Sequence, residues 1–180
     1  MCSYGNGIRL AKNEGYRDVI LTAAKSMSTL YNPNVRAIRN GYWGPWSCPI
    51  FIDTMMNTEL LFWASENGLD SRYRQMAIDH CLKTAEDLVR EDGSTYHCVD
   101  YNSVTGEIIR KQTYQGYSDE STWARGQAWA LYGYTMAYRY TKDKQMLDFA
   151  IKTANYYVDN LPEDGVPYWD FNAPDIPDAN

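Results

Sequence analysis

Apolar residues recur at helical spacing in three stretches that share one pattern: a helix end, a short polar turn, then an amphipathic helix. The stretches are NEGYRDVILTAAKSMSTLY around Thr22-Ala23, LDSRYRQMAIDHCLKTAEDLV around Thr84-Ala85 and TKDKQMLDFAIKTANYYVDNL around Thr153-Ala154. The step from Thr22 to Thr84 is close to the step from Thr84 to Thr153, as a repeated unit requires. The last two units run on into EDGSTYH and EDGVPYWD, so each unit reads as an α-hairpin followed by a long loop.

Within each pair the first helix is rich in aromatic and small residues (DTMMNTELLFWASENG; ESTWARGQAWALYGYTMAYRY), whereas the second has a clear charged face. A helix that is apolar nearly all round is enclosed, and one with a single apolar stripe lies outside it. Inner and outer helices alternating along a chain predict an all-α fold, an α/α toroid whose inner helices open into a central cleft. Residues 92–116 break the pattern: CVDYNSVTGEIIRKQTY alternates about a TG turn and predicts a β-hairpin over the cleft mouth. Asp53 opens the inner helix of the unit marked by Thr84, and the same separation carried back from Thr22 falls before Met1. The chain is therefore expected to begin partway down an inner helix and to stop at Asn180 where another would start. Residues 1–180 then form one partial toroid, truncated at both ends.

Composition narrows the function. With 180 residues, 44% hydrophobic and 22% charged, the chain reads as one globular domain. A net charge of −6 without a basic stripe argues against nucleic acid as a partner. No apolar run approaches the ~20 residues of a membrane span. Cys2, Cys48, Cys81 and Cys98 lack CxxC spacing, so they read as free thiols, mostly buried, and no metal site is expected. Aromatic residues make up 14% of the chain, which fits a sugar-binding cleft as well as ordinary core packing.

The densest candidate chemistry is TYQGYSDESTWARGQAW, Tyr114–Trp129 with the preceding Thr113, where Gln115, Asp119, Glu120, Trp123, Arg125, Gln127 and Trp129 gather at a helix start. A sugar acid needs an Arg fork for its carboxylate, amide or carboxylate groups for its hydroxyls and an aromatic face for its apolar side. Arg125 and Trp129, four apart, share a helix face. Packing accounts for each of them too: a Trp on an inner helix is usually core, and an Arg at a helix start usually pairs with a carboxylate such as Asp119 or Glu120. Those two acids themselves read as N-terminal helix charges. His80 reads as structural; for His97 a loop histidine bonded to backbone is the plain alternative to a ligand contact. Asp53, followed by TMMN and close in sequence to Trp43, Trp46, Phe51 and Trp63, is either the N-cap of a Thr54–Ser65 helix or an acid whose pKa an apolar surround would raise.

WARGQAW at Trp123–Trp129, IDTMMNTELLFWAS at Ile52–Ser65 and GVPYWDF at Gly165–Phe171 resemble the unsaturated glucuronyl hydrolases of glycoside hydrolase family 88, over essentially the whole chain. The unsaturated rhamnogalacturonyl hydrolases are similar there but usually lack Gln-Ala between Arg-Gly and Trp, so Gln127 and Ala128 favour the first family. The resemblance implies an (α/α)6 barrel from bacteria, cytoplasmic or periplasmic, with no cofactor. It also implies a substrate, an oligosaccharide ending in a 4,5-unsaturated uronic acid left by a polysaccharide lyase, and a reaction, hydration of its C4=C5 enol ether. By position Asp53 would be the general acid, then base, while His97, Gln115, Arg125 and Trp129 would hold the sugar and Trp46 would add an aromatic face. Members also carry a second essential Asp upstream of the position of Met1 and a serine-bearing segment beyond Asn180. Weak or no activity and poor solubility are therefore expected of these 180 residues by themselves. A non-catalytic sugar-binding module and a helical-repeat scaffold for protein partners remain open alternatives.

Overall fold

A computed structural model describes residues 1–41 and 45–178. Three helical hairpins dominate: α1 (Tyr4–Ala11) with α2 (Gly15–Ser28), α3 and α4 (Thr54–Asn57, Glu59–Glu66) with α5 (Ser71–Asp87), and α6 (Ala124–Thr141) with α7 (Lys144–Asp159). The helices that open the hairpins sit together, with α6 packed on α3 and α4, and α1 facing α4 and α6 across a cavity. The closing helices pack on their outer side. The fold is the predicted all-α one, the hairpins of an (α/α)6 toroid, with two small sheets added.

All three closing helices start in the same way. Asp70 accepts from the Arg72 N–H and Asp143 from the Gln145 N–H, both at 2.9 Å, and Asn13 accepts from the Gly15 N–H at 3.1 Å. Each carboxylate or amide oxygen thus satisfies a donor that has no partner inside its helix. The loops repeat as well. Asp92 and Asp164 each accept from the N–H two residues on, at 2.9 Å, and the glycines that follow them have φ of +93° and +75°. At Gly93 a Cβ would lie 2.5 Å from the Lys152 carbonyl oxygen on α7, so the turn fits under that helix only without a side chain.

The predicted Thr54–Ser65 helix is interrupted at Thr58, whose hydroxyl bonds to the Met55 carbonyl at 2.8 Å. Such back-bonding competes with the helical ladder. The expected hairpin forms as β4 (Cys98–Tyr101) and β5 (Ile108–Gln112), with a bulge at Asp100/Tyr101. Its partner was not foreseen: β3 (Cys48–Phe51) pairs antiparallel with β4, Phe51 opposite Cys98, and leads straight into Asp53. A second sheet joins β1 (Tyr31–Asn32) to β2 (Ala37–Ile38). His80 is structural, as expected. It is fully buried, its Nδ1 accepts from the Ile38 N–H at 3.1 Å, and burial drives its pKa down to about 3, so α5 holds β2 through a neutral imidazole. The four cysteines are free thiols, with Cys48, Cys81 and Cys98 buried and Cys2 exposed. No helix of the described residues is long and apolar enough to cross a membrane.

Helix α6 carries a stripe of small residues, Gly126, Ala130, Gly133 and Ala137, all buried. The stripe lets α3 come close. A Cβ on Gly133 would sit 2.6 Å from the Met55 Cβ and 3.0 Å from its carbonyl carbon and oxygen. Backbone atoms cannot swing aside, so Gly133→Ala is expected to push the helices apart and cost about 1–3 kcal/mol, read as a lower midpoint in thermal or urea unfolding. A midpoint equal to that of the unsubstituted chain would mean that α3 yields without strain.

Candidate active site

Asp53 lies at the junction of β3 and α3, and the junction is held without its help. Asn40 Oδ1 accepts from the Phe51 N–H at 3.2 Å and from the Thr54 hydroxyl at 2.8 Å, while the Ile52 N–H donates to the His97 carbonyl at 3.0 Å. Asp53 has helical dihedrals and its side chain makes no capping bond, so it is not spent on the helix start. Its Oδ2 is buried and has no hydrogen-bond partner among the described residues. Desolvation by burial raises the Asp53 pKa above the ordinary 3.8, partly offset by its backbone N–H and by the Arg125 guanidinium.

His97 faces it, with Nε2 at 3.6 Å from Asp53 Oδ2 and a side chain only 2% exposed against 27% for Asp53. The ring is wedged between Phe51, at 5.3 Å and 79°, and Trp123, at 4.5 Å and 36°. Its Nδ1 accepts from the Tyr114 N–H at 3.0 Å and the Gln115 N–H at 3.3 Å. A nitrogen that accepts from backbone amides carries no proton, so the ring proton is on Nε2. Burial, then the nearby Arg125 charge, lowers the His97 pKa to about 4, leaving a neutral imidazole at neutral pH.

The loop after β5 supplies the second wall. Arg125 lies over the Trp123 ring at 4.4 Å and donates to Gln115 Oε1. Asp53, Gln115, Phe51, Tyr114, Asn40 and Gly41 together line a cleft of about 440 Å³. Trp129 is outside this cleft and lines an adjoining cavity of about 580 Å³ with Thr54 and Asn57, the two spaces sharing Asn40 and Gly41. Trp46 is buried behind the wall, 6.1 Å from the Phe51 ring and 5.8 Å from the Tyr114 ring, with Arg110 over its own ring at 4.6 Å. Trp63 faces the α1 cavity instead, and Trp43 lies outside the described residues.

Three expectations about the 114–129 cluster change. Gln127 is fully buried and grips no ligand: its Nε2 donates to the Gly93 carbonyl at 2.7 Å and the Thr153 carbonyl at 3.0 Å, tying α6 to the Gly93 turn and to α7. Asp119 and Glu120 are not first-turn charges, since α6 starts at Ala124. Asp119 accepts from the Thr113 N–H at 2.9 Å and Glu120 from the Tyr96 hydroxyl at 3.1 Å.

Several supporting residues escaped the sequence reading. Arg90 sits over the Tyr96 ring at 3.8 Å and donates to the carbonyls of Thr95, Glu120 and Ser121 and to the hydroxyls of Ser94 and Thr122, which pins the loop ahead of α6. Asp170, fully buried, accepts from the Tyr117 N–H at 2.9 Å, the Ser121 hydroxyl at 2.7 Å and the Asn172 N–H at 2.9 Å. The Ala124 N–H donates to the Trp169 carbonyl at 3.1 Å just as the Ile52 N–H does to the His97 carbonyl. One step along the chain carries Ile52 onto Ala124 and His97 onto Trp169, and the same step carries Asp53 onto Arg125. A single repeat position thus holds the acid in one unit and the guanidinium in the next.

The architecture is that of the (α/α)6 toroids, with a carboxyl and an imidazole meeting at the start of an inner helix. The chain is 45% identical over 183 residues to an unsaturated glucuronyl hydrolase of Formosa agariphila, covering 99% of this chain and 46% of that protein. To the unsaturated glucuronyl hydrolase of Bacillus sp. strain GL1 it is 39% identical over 173 residues, covering 93% and 45%. The crystal structure of an unsaturated glucuronyl hydrolase specific for heparin matches with a TM-score of 0.93 at 37% identity, over 96% of this chain and 47% of that one. No family model matches. The chain belongs to the unsaturated glucuronyl hydrolase family and spans about half the length of the curated relatives it matches.

Proposed function

We propose that this chain carries the acid side of an active site that hydrates the C4=C5 enol ether of a 4,5-unsaturated glucuronyl residue at the end of a glycosaminoglycan-type oligosaccharide. The observation that carries the reading is Asp53, a carboxyl with one buried, unpartnered oxygen and a raised pKa, on the wall of an open cleft. Such a group keeps its proton where an ordinary aspartate has lost it, which is what a general acid requires.

Asp53 donates that proton to C4, and the ring oxygen stabilises the positive charge that develops at C5. The carboxylate left behind takes a proton from water as the water oxygen bonds to C5. The resulting hemiketal opens by breaking the bond between C5 and the ring oxygen. C1, now carrying a hydroxyl as well as the glycosidic oxygen, collapses to an aldehyde and releases the rest of the sugar as an alcohol. The glycosidic bond therefore breaks as a consequence of hydration. Gln115 on the cleft wall and Arg125 bonded to it are suited to a hydroxyl and the sugar carboxylate. Trp129, in the cavity that shares Asn40 and Gly41, offers an aromatic face, and Trp46 acts from behind by fixing Phe51 and Tyr114. His97 offers its Nε2–H to the substrate or to Asp53.

The test is loss of the ultraviolet absorbance of the enol ether when the chain is mixed with unsaturated chondroitin and heparin disaccharides. Absorbance should fall slowly, at the weak end of the activity expected of these 180 residues by themselves. A sample shown by circular dichroism to be folded, yet leaving the absorbance of both sugars unchanged, would sink the proposal.

A further inference from the structure

His97 Nδ1 meets a third donor besides the two backbone N–H groups, the Thr113 hydroxyl at 3.1 Å. The direction of that bond is fixed by its surroundings. Thr113 Oγ1 accepts from the Gly116 N–H at 2.8 Å, and Nδ1, already accepting from Tyr114 and Gln115, has no proton to give. The single hydroxyl hydrogen of Thr113 therefore points at Nδ1. Thr113 is held in turn by its own N–H, which donates to Asp119 at 2.9 Å. On the other side of the ring, Nε2 and Asp53 Oδ2 face each other at 3.6 Å, and both are buried without another partner among the described residues.

We propose that Thr113 is a positioning residue for Asp53: by donating to Nδ1 it locks His97 as a fixed N–H donor aimed at the Asp53 carboxyl. The inference rests on reading Asp53 as the acid. In this arrangement His97 can stabilise the carboxylate that remains once Asp53 has given up its proton, because a slight closure of the gap makes a hydrogen bond to the charged form. It cannot take that proton, since Nε2 already bears one and Nδ1 is closed off by three donors. Phe51 and Trp123, on opposite elements, keep the ring in plane, so the lock fixes direction as well as tautomer.

Removing the hydroxyl weakens both ends. In Thr113→Val, Nδ1 loses a donor and the Gly116 N–H loses its acceptor, which frees the loop that supplies the other two. Protonation at Nδ1 then becomes feasible. The charged and titratable groups that face His97 are Asp53 ahead of α3, Arg125 on α6, the adjacent Cys98 thiol, which burial pushes up to about 12, and Asp119 at the back of Thr113. Of these the two carboxylates favour an imidazolium, so the His97 midpoint should rise from about 4 towards the ordinary 6.5, and the Asp53 midpoint should fall beside the new cation.

The measurement is a nitrogen and carboxyl-carbon NMR titration of the full chain, whose second histidine, His80, is identified by a His97→Gln control. The unsubstituted chain should show His97 with its proton on Nε2 through neutral pH. Thr113→Val should shift both midpoints in the stated directions, and Thr113→Ser should restore them. An Nδ1–H imidazole in the unsubstituted chain overturns the proposal, as do unmoved midpoints in a folded Thr113→Val. If Thr113→Val does not fold, the tautomer of the unsubstituted chain and its retention in Thr113→Ser decide. A locked tautomer in a chain that leaves enol ethers intact sinks the proposed activity and not the lock; hydration by a chain with an Nδ1–H imidazole sinks the lock alone.

Discussion

Asp53→Asn is expected to lower the rate of enol-ether hydration by about 10²–10⁴-fold, the range a positioned general acid supplies, without disturbing the fold. The amide has the shape of the acid but no proton to transfer. The fold should survive because the Asp53 side chain makes no capping bond and its buried oxygen has no partner, so nothing structural is broken. Stability gives an independent reading with a definite sign. A carboxyl whose folded pKa is raised contributes stability that is fully present below its unfolded pKa and is lost as pH rises through the folded value. Asp53 is such a group, through desolvation. At neutral pH, where the ionised carboxylate is held in a partly dry site, Asp53→Asn should therefore unfold no more easily than the unsubstituted chain. That margin should shrink as pH falls below the ordinary carboxylate range. Kinetics within a few-fold of the unsubstituted chain would remove Asp53 from the chemistry. A drop in thermal midpoint at neutral pH would instead return it to the capping role that its position before Thr54 permits.

The helical hairpins were legible because their apolar residues recur at helical spacing over long stretches, and because the paired Asp-Gly turns repeat. The breaks were not. Thr58 interrupts its helix through a side-chain bond that no periodicity reveals, and β3 is a short strand, Cys48–Phe51, buried along most of its length, so it shows no alternation and contains a proline. The site divides along the same line. Asp53, His97, Gln115 and Arg125 stood out as chemistry-bearing residues near predicted helix starts; Asp53 and Gln115 line one cleft, His97 lies 3.6 Å from Asp53, and Arg125 bonds to Gln115 but lines a separate pocket with Tyr157 and Tyr168. The roles of Gln127, Trp46 and Asp119 depend on which way each side chain turns, and spacing does not carry that. Gln127 follows Arg125 closely but lies on a different side of the same helix, and it serves α7 rather than the cleft. Arg90 and Asp170 are the plainest omissions. Each bonds to a loop distant in sequence, and the only signal was the place of Asp170 inside the PYWD motif.

Asp170→Ala is expected to be the most damaging single change away from the cleft. It removes a buried carboxylate that accepts from the part-buried Tyr117 and Asn172 N–H groups and from the Ser121 hydroxyl, which keeps the Ser118 carbonyl at 2.8 Å as another acceptor. A buried donor left without a partner costs about 1–3 kcal/mol; water can reach part of the two amides and Ser121 keeps one acceptor, so a total of about 2–4 kcal/mol is expected. The effect should reach the site. Asp170 holds Tyr117 and Ser121, which follow the turn carrying Gln115 and lead into Trp123 and Arg125, while the neighbouring Trp169 and Phe171 backbone groups bond to Ala124 and Thr122. Releasing this anchor loosens the start of α6 and with it the guanidinium. Asp170→Asn should fall between the two: its amide oxygen can replace Oδ2 for Tyr117 and Ser121, but its NH₂ then confronts the Asn172 N–H. Thermal unfolding should rank the three chains in that order, and amide exchange should show the largest loss of protection at Tyr117, Ala124 and Phe171. An Asp170→Ala chain that melts with the unsubstituted one, with those amides still protected, would mean that water replaces the carboxylate and that the cleft does not depend on it.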